Sequence, residues 1–163
     1  IQSGSTRFEL GVTIMIHVEM ETRIDRPIDE VFSQLTDLNG YNAWMSKSGL
    51  FQASEQTSSG SVGIGTTFRD RLRHGEATGE IVAFQRPRRV AFRQTVKLLG
   101  VPCLESRPRY SLEEEEGQTR VRHVAEGECR GVFRIFEGVF AKIAKAERRR
   151  TLVGLKRSLE SPT

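Results

Sequence analysis

Cysteine is scarce in this chain. Cys103 and Cys129 are the only two, and they lack C-x-x-C spacing. That excludes a disulfide framework and a thiolate-rich metal centre, and points to a reducing, cytoplasmic setting. His17, His74 and His123 share no metal-site spacing, so neither a metal nor another cofactor is expected. No apolar run approaches the roughly 20 residues that a membrane-spanning helix needs. A G-x-S-x-G elbow and a Gly-Lys-Ser/Thr phosphate loop are both missing, which argues against a serine hydrolase and a P-loop enzyme. No charged segment leads into an apolar one near the start, so secretion is not indicated.

What is present suits one domain with a substantial core: 163 residues, 37% hydrophobic and 28% charged. Residues 1–11, IQSGSTRFELG, are Ser/Gly-rich and read as a flexible flank or expression remnant, leaving 12–160 as the domain. The net charge of +4 gathers in one C-terminal stretch, where Arg134, Lys142, Lys145, Arg148, Arg149, Arg150, Lys156 and Arg157 face only Glu137 and Glu147. Such a face could dock to RNA, an anionic membrane or a protein. A solvated side opposite an apolar stripe is the commoner arrangement, so nucleic acid is not the expected partner.

From Val12, Ile14, Ile16, Val18 and Met20 alternate with Met15, His17, Glu19 and Glu21, the period of a half-buried strand. Pro27 opens a short helix to about Leu35, with Asp29 and Glu30 at its positive end. A second helical piece spans Leu38 to Met45. Alternating runs then predict a meander: Leu50–Glu55, Thr66–Arg73, Glu76–Gln85, Arg89–Val96, Arg107–Glu114 and Thr119–Cys129, with Leu99 to Ser106 as a loop. From Val132 the period becomes helical to about Ser158, with Phe136, Phe140 and Ile143 in line. The expected fold is α+β, a curved antiparallel sheet of about seven strands around one long helix.

Gly60, Gly63 and Gly65 crowd the stretch GSVGIGTTF, but Phe68 stands where a dinucleotide fingerprint needs its last glycine, and a strand follows. The glycines therefore close a hairpin. Together with this turn, Ile24-Asp25-Arg26-Pro27, Glu30-Val31-Phe32, Asp37 before Trp44, Gly79-Glu80-Ile81, Pro87-Arg88-Arg89-Val90-Ala91-Phe92-Arg93, Gly117-Gln118-Thr119-Arg120-Val121 and the Leu155–Glu160 terminus resemble the START-like (SRPBCC) superfamily, in its polyketide cyclase/dehydrase-like branch. The resemblance runs from about Val12 to Glu160. It implies a helix-grip fold with an apolar cavity between sheet and terminal helix, holding a small hydrophobic molecule of lipid or polyketide type. The superfamily also includes cyclases and aromatases, so whether the protein is an enzyme stays open, as does its oligomeric state, dimer included.

Alternation points Phe68 and Asp70, Phe92, Tyr110, and His123 inward from four strands, while Phe136, Phe140, Ile143 and Glu147 follow one line of the helix. Trp44 reads as a wall or gate. These ten are the candidate ligand-binding residues, and Asp70, Tyr110 and His123 are the candidate catalytic ones. Asp70 is either a carboxylate that orients a ligand or moves a proton, or a strand residue paired with a neighbour such as Arg93. His123 is either a general acid or base, or a core histidine with both nitrogens satisfied. Tyr110 either offers its hydroxyl to a ligand or packs. Glu147 either closes the cavity by pairing with Arg150 or touches the ligand.

Overall fold

The computed structural model describes residues 16–161; the expected flank and the Val12–Met15 start of the first strand lie outside them. Seven strands, β1 (Ile16–Ile24), β2 (Phe51–Gln56), β3 (Thr67–Leu72), β4 (Gly75–Gln85), β5 (Arg89–Leu98), β6 (Val101–Glu115) and β7 (Gln118–Cys129), form one antiparallel sheet in the order β1-β7-β6-β5-β4-β3-β2. Each strand from β2 to β7 pairs with the next, and β1 adds to the far edge beside β7. The short helices α1 (Ile28–Thr36) and α2 (Tyr41–Trp44) carry the chain from one edge to the other. After β7 come a 3-10 segment, Gly131–Phe136, and the long helix α3, Glu137–Glu160.

Period-two alternation decides which face of the sheet is covered. Phe68, Ala77, Ile81, Val90, Phe92, Tyr110, Leu112 and Val121 turn toward the helices and are buried with Val31, Phe32, Leu35, Leu152 and Leu155. The opposite face carries charge paired across strands: Glu19 with Arg122, Arg120 with Glu113 and Glu115, Arg109 with Glu126, Glu80 with Arg93, and Glu55 with Arg69. Amphipathic α1 seats Ile28, Val31, Phe32 and Leu35 on the core, with Pro27 just before its first turn.

Two expectations change. Leu99 to Ser106 is not a loop, because Leu99 and Gly100, both at positive φ, make a tight two-residue hairpin and β6 starts at Val101. Pro102 concealed the start of this strand, yet it pairs with Lys97; farther along, Pro108 lacks a donor, and the β5–β6 pairing skips its position between Ala91↔Arg109 and Gln94↔Ser106. The terminal helix also differs. Its first six residues wind as 3-10, which alters the phase of the apolar line before α3 begins. Phe136 is 50% and Ile143 39% exposed, and Phe140 packs on Phe133 and a small separate cluster of Ile16, Val18 and Cys129. The side of α3 that meets the main core is Thr151, Leu152 and Leu155 instead.

Candidate functional site

Inward-facing positions of neighbouring strands line up an aromatic band. Phe68 on β3 meets Phe92 on β5 edge-on at 5.7 Å between ring centres, and Phe92 meets Tyr110 on β6 at 6.3 Å. The intervening strand supplies Gly79, opposite Phe68, where a Cβ would stand 2.8 Å from the Phe68 ring and 2.5 Å from the Arg93 carbonyl. Only glycine leaves that space. Tyr110 then stacks on His123 of β7, its direct cross-strand partner, at 4.2 Å and 21°.

His123 is fully buried, and its Nδ1 lies 3.1 Å from the Arg109 carbonyl oxygen. A carbonyl accepts only, so Nδ1 carries the proton and Nε2 is left as a lone pair. That Nε2 has no hydrogen-bond partner among the described residues. Burial, then the nearby Arg148 charge, push the imidazole down to about 3. His123 is therefore a neutral acceptor across the physiological range, not an acid.

Asp70 sits opposite Ser54 of β2. Burial raises its carboxyl to about 6; the Ser54 hydroxyl and the Arg148 charge oppose the rise. Asp70 Oδ1 and Ser54 Oγ nevertheless complete no hydrogen bond, although both are buried. The alternative pairing of Asp70 with Arg93 does not form, since Arg93 points to the other face and binds Glu80. Tyr110 is 4% exposed, and burial pushes its phenol up while the neighbouring Arg148 guanidinium pulls the other way.

Trp44 stands at the end of α2, edge-on to Tyr41 at 5.2 Å, with its buried Nε1 unpartnered. On α3, Gly154 faces it, where a Cβ would be 3.1 Å from the Trp44 carbonyl. Between α2 and α3 a groove of about 650 Å³ opens, lined by Trp44, Arg149, Val153 and Arg157 among others. Glu147 is engaged structurally: its Oε1 accepts from the Leu50 N–H at 3.0 Å and from Arg150 at 2.6 Å, tying α3 to the segment before β2.

Thus Phe68, Asp70, Phe92, Tyr110 and His123 come together, with Trp44 on α2 nearby, while Phe136, Phe140 and Ile143 lie apart from them. Several participants were not anticipated. Ser54 faces Asp70 from an irregular strand, and Tyr41 donates its hydroxyl to the Leu35 carbonyl with its phenol pushed well up by burial. In the sequence Arg148 belongs to a basic run expected to be a solvated face. It lies beside Tyr110, and its charge acts on Asp70, Tyr41 and His123. The usable signal was the helical repeat: counting back from Leu155 through Leu152 and Thr151 reaches Arg148, whereas counting on from Phe136 reaches Glu147.

With a curved seven-stranded sheet, a long terminal helix and an inward polar cluster in place, the family match is decisive. Residues 15–160 match the family described as polyketide cyclase/dehydrase and lipid transport. The chain belongs to that family. Solved structures repeat the helix-grip fold. The Zhui aromatase/cyclase from Streptomyces sp. R1128 aligns with a TM-score of 0.77 at 14% identity, over 90% of this chain and 94% of that one. A START superfamily protein from Mycobacterium smegmatis gives 0.67 at 11% identity, over 88% and 97%. The Aha1 dimer from Colwellia psychrerythraea gives 0.64 at 17% identity, over 89% and 96%. Among curated proteins no sequence matches. As a member of this polyketide cyclase/dehydrase and lipid transport family, the chain has a ligand-binding or cyclase-like role. Among its described residues no helix is long and apolar enough to cross a membrane, and no group of side chains is arranged to hold a metal ion.

Proposed function

We propose that this family member binds a small hydrophobic or aromatic molecule, of lipid or polyketide type, between the concave face of the sheet and α3. One observation carries the reading: Ser54 Oγ, Asp70 Oδ1 and His123 Nε2 are buried on the inner faces of three strands without partners, beside a continuous aromatic band. An orphaned buried polar atom costs about 1–3 kcal/mol, and a packed core avoids it. A ligand whose body lies on Phe68, Phe92 and Tyr110 and whose polar atoms reach these groups would remove that cost. The thiols Cys103 and Cys129 are free and buried, which suits a reducing cytoplasm. Native mass spectrometry of the purified protein should find a co-purifying apolar species. A protein that carries none, and takes up neither fatty acids nor polycyclic aromatics when offered, would refute the proposal.

A second reading has its own support. Asp70, raised to about 6 beside a phenol, is poised to exchange a proton near neutrality, as a cyclase or dehydratase acting on a polyketide-like chain would require. In that enzyme Asp70 moves the proton, Tyr110 donates a hydrogen bond and His123 Nε2 accepts one. Asp70→Asn should then abolish turnover of a poly-β-ketone substrate while preserving its binding; full activity in that variant would remove Asp70 from the mechanism.

A further inference from the structure

We infer that Arg148 is the anchor of the interior site, and that the ligand it selects carries an acidic oxygen, a carboxylate or one of comparable charge, on an apolar body. The inference rests on the interior being a ligand site, as proposed above, and adds the chemical class of the ligand.

Helical spacing places Arg148 three, four and seven residues before Thr151, Leu152 and Leu155, all buried, so it begins the stripe of α3 that faces the core. That stripe packs in one buried cluster with Tyr110, which stacks on His123, and the Arg148 charge reaches Tyr110, Asp70 and His123. Of the other basic residues of the helix, Lys142, Lys145, Arg149 and Arg157 are exposed to water, and two are paired within the fold. Arg150 pairs with Glu147, and Lys156 with Glu160. Arg148 has no carboxylate within 4.0 Å among the described residues.

A half-buried guanidinium without a counter-ion is costly to keep, and the planar fork of an arginine matches a carboxylate through two parallel hydrogen bonds. His123 is neutral, so Arg148 is the one positive charge in the cluster. Among the described residues Asp70 is the carboxylate of the cluster that competes for it, and burial opposes the charged form of that carboxyl. An incoming anion would meet Arg148, with the Tyr110 hydroxyl as a further donor, while its apolar body lies along the band of Phe68, Phe92 and Tyr110.

Two fluorescent probes of nearly equal shape separate charge from apolar fit: 9-anthroate and its neutral counterpart 9-anthracenemethanol. The wild-type protein should bind the acid more tightly than the alcohol. Arg148→Met should weaken the acid roughly tenfold or more, the worth of a charge-assisted pair, and leave the alcohol unchanged. Asp70→Asn, which removes the competing carboxylate, should shift the preference further toward the acid, and Lys145→Met, on the exposed side of the same helix, should alter neither. If Arg148→Met fails to fold, the wild-type acid-to-alcohol ratio and its shift in Asp70→Asn decide the matter. Equal binding of acid and alcohol by the wild type, or a loss in Arg148→Met that is the same for both, overturns the anchor while leaving the ligand site intact. Binding of neither probe by the wild type overturns both.

Discussion

Asp70 and His123 are displaced in opposite senses by the same burial, and this gives them opposite effects on stability. The folded Asp70 holds its proton up to about 6, against 3.8 for the free group, so ionising it costs stability as pH rises through that window, and the loss persists above it. Asp70→Asn should therefore stabilise the protein by about 1–3 kcal/mol near neutral and alkaline pH, with the difference vanishing in acid below the free carboxylate range. Urea unfolding at both ends of the range measures it. His123 works the other way. Its ring is held from 6.5 down to about 3, so the unfolded chain takes up the proton first and stability drains as pH falls between those values. The imidazole shifts in an NMR titration should stay flat from neutrality down to about pH 4.5, with the proton on Nδ1. Alternation along the strands made Asp70, Tyr110 and His123 legible as inward residues. It could not show that Nε2 and Oδ1 would lack partners, since that depends on which groups from other strands fall short of them. Arg148 was hidden by its neighbours, because a run of three arginines resembles a solvated face until the phase of the helix is known.

At the scale of elements, α3 is fastened to the sheet by a clip as well as by packing. Glu147 reaches the Leu50 amide, and Gly49 leaves the space: a Cβ there would lie 2.0 Å from Glu147 Oε1. Because that oxygen ends a flexible side chain, Gly49→Ala should displace the carboxylate rather than the backbone. The expected cost is about 1–2 kcal/mol, matched by Glu147→Ala and not additive with it, as a double-mutant cycle in denaturant would show. Gly75 presents a harder obstacle, since a Cβ there would lie 1.9 Å from the Lys97 carbonyl oxygen, so Gly75→Ala should be the more damaging of the two glycine changes in the same denaturant series. Most elements were readable because each follows a clean period of two or of 3.6. The start of β6 was not: Pro102 looks like a breaker in a sequence, and only the neighbouring strand reveals that the ladder runs through it, opposite Lys97. The 3-10 turn before α3 was equally invisible, and with it went the placement of Phe136, Phe140 and Ile143.

For the whole molecule, the two thiols report on global opening. Cys103 is 0% and Cys129 3% exposed, and burial holds both thiols above their ordinary range. Neither should react with Ellman's reagent in the native protein except at the rate of unfolding, and denaturant should expose both together; rapid labelling of one would mean that the β6–β7 end of the sheet opens by itself. The outer face of the sheet has a consequence of another kind. Its cross-strand pairs of Arg and Glu contribute little individually to stability, because they are exposed to water. Their value lies in what they forbid. A slip of one residue between β1 and β7, or between β6 and β7, would turn these charges into the core and drive the apolar residues out, so the salt-bridged face acts as a key that admits one alignment of the strands during folding and rejects the neighbouring ones.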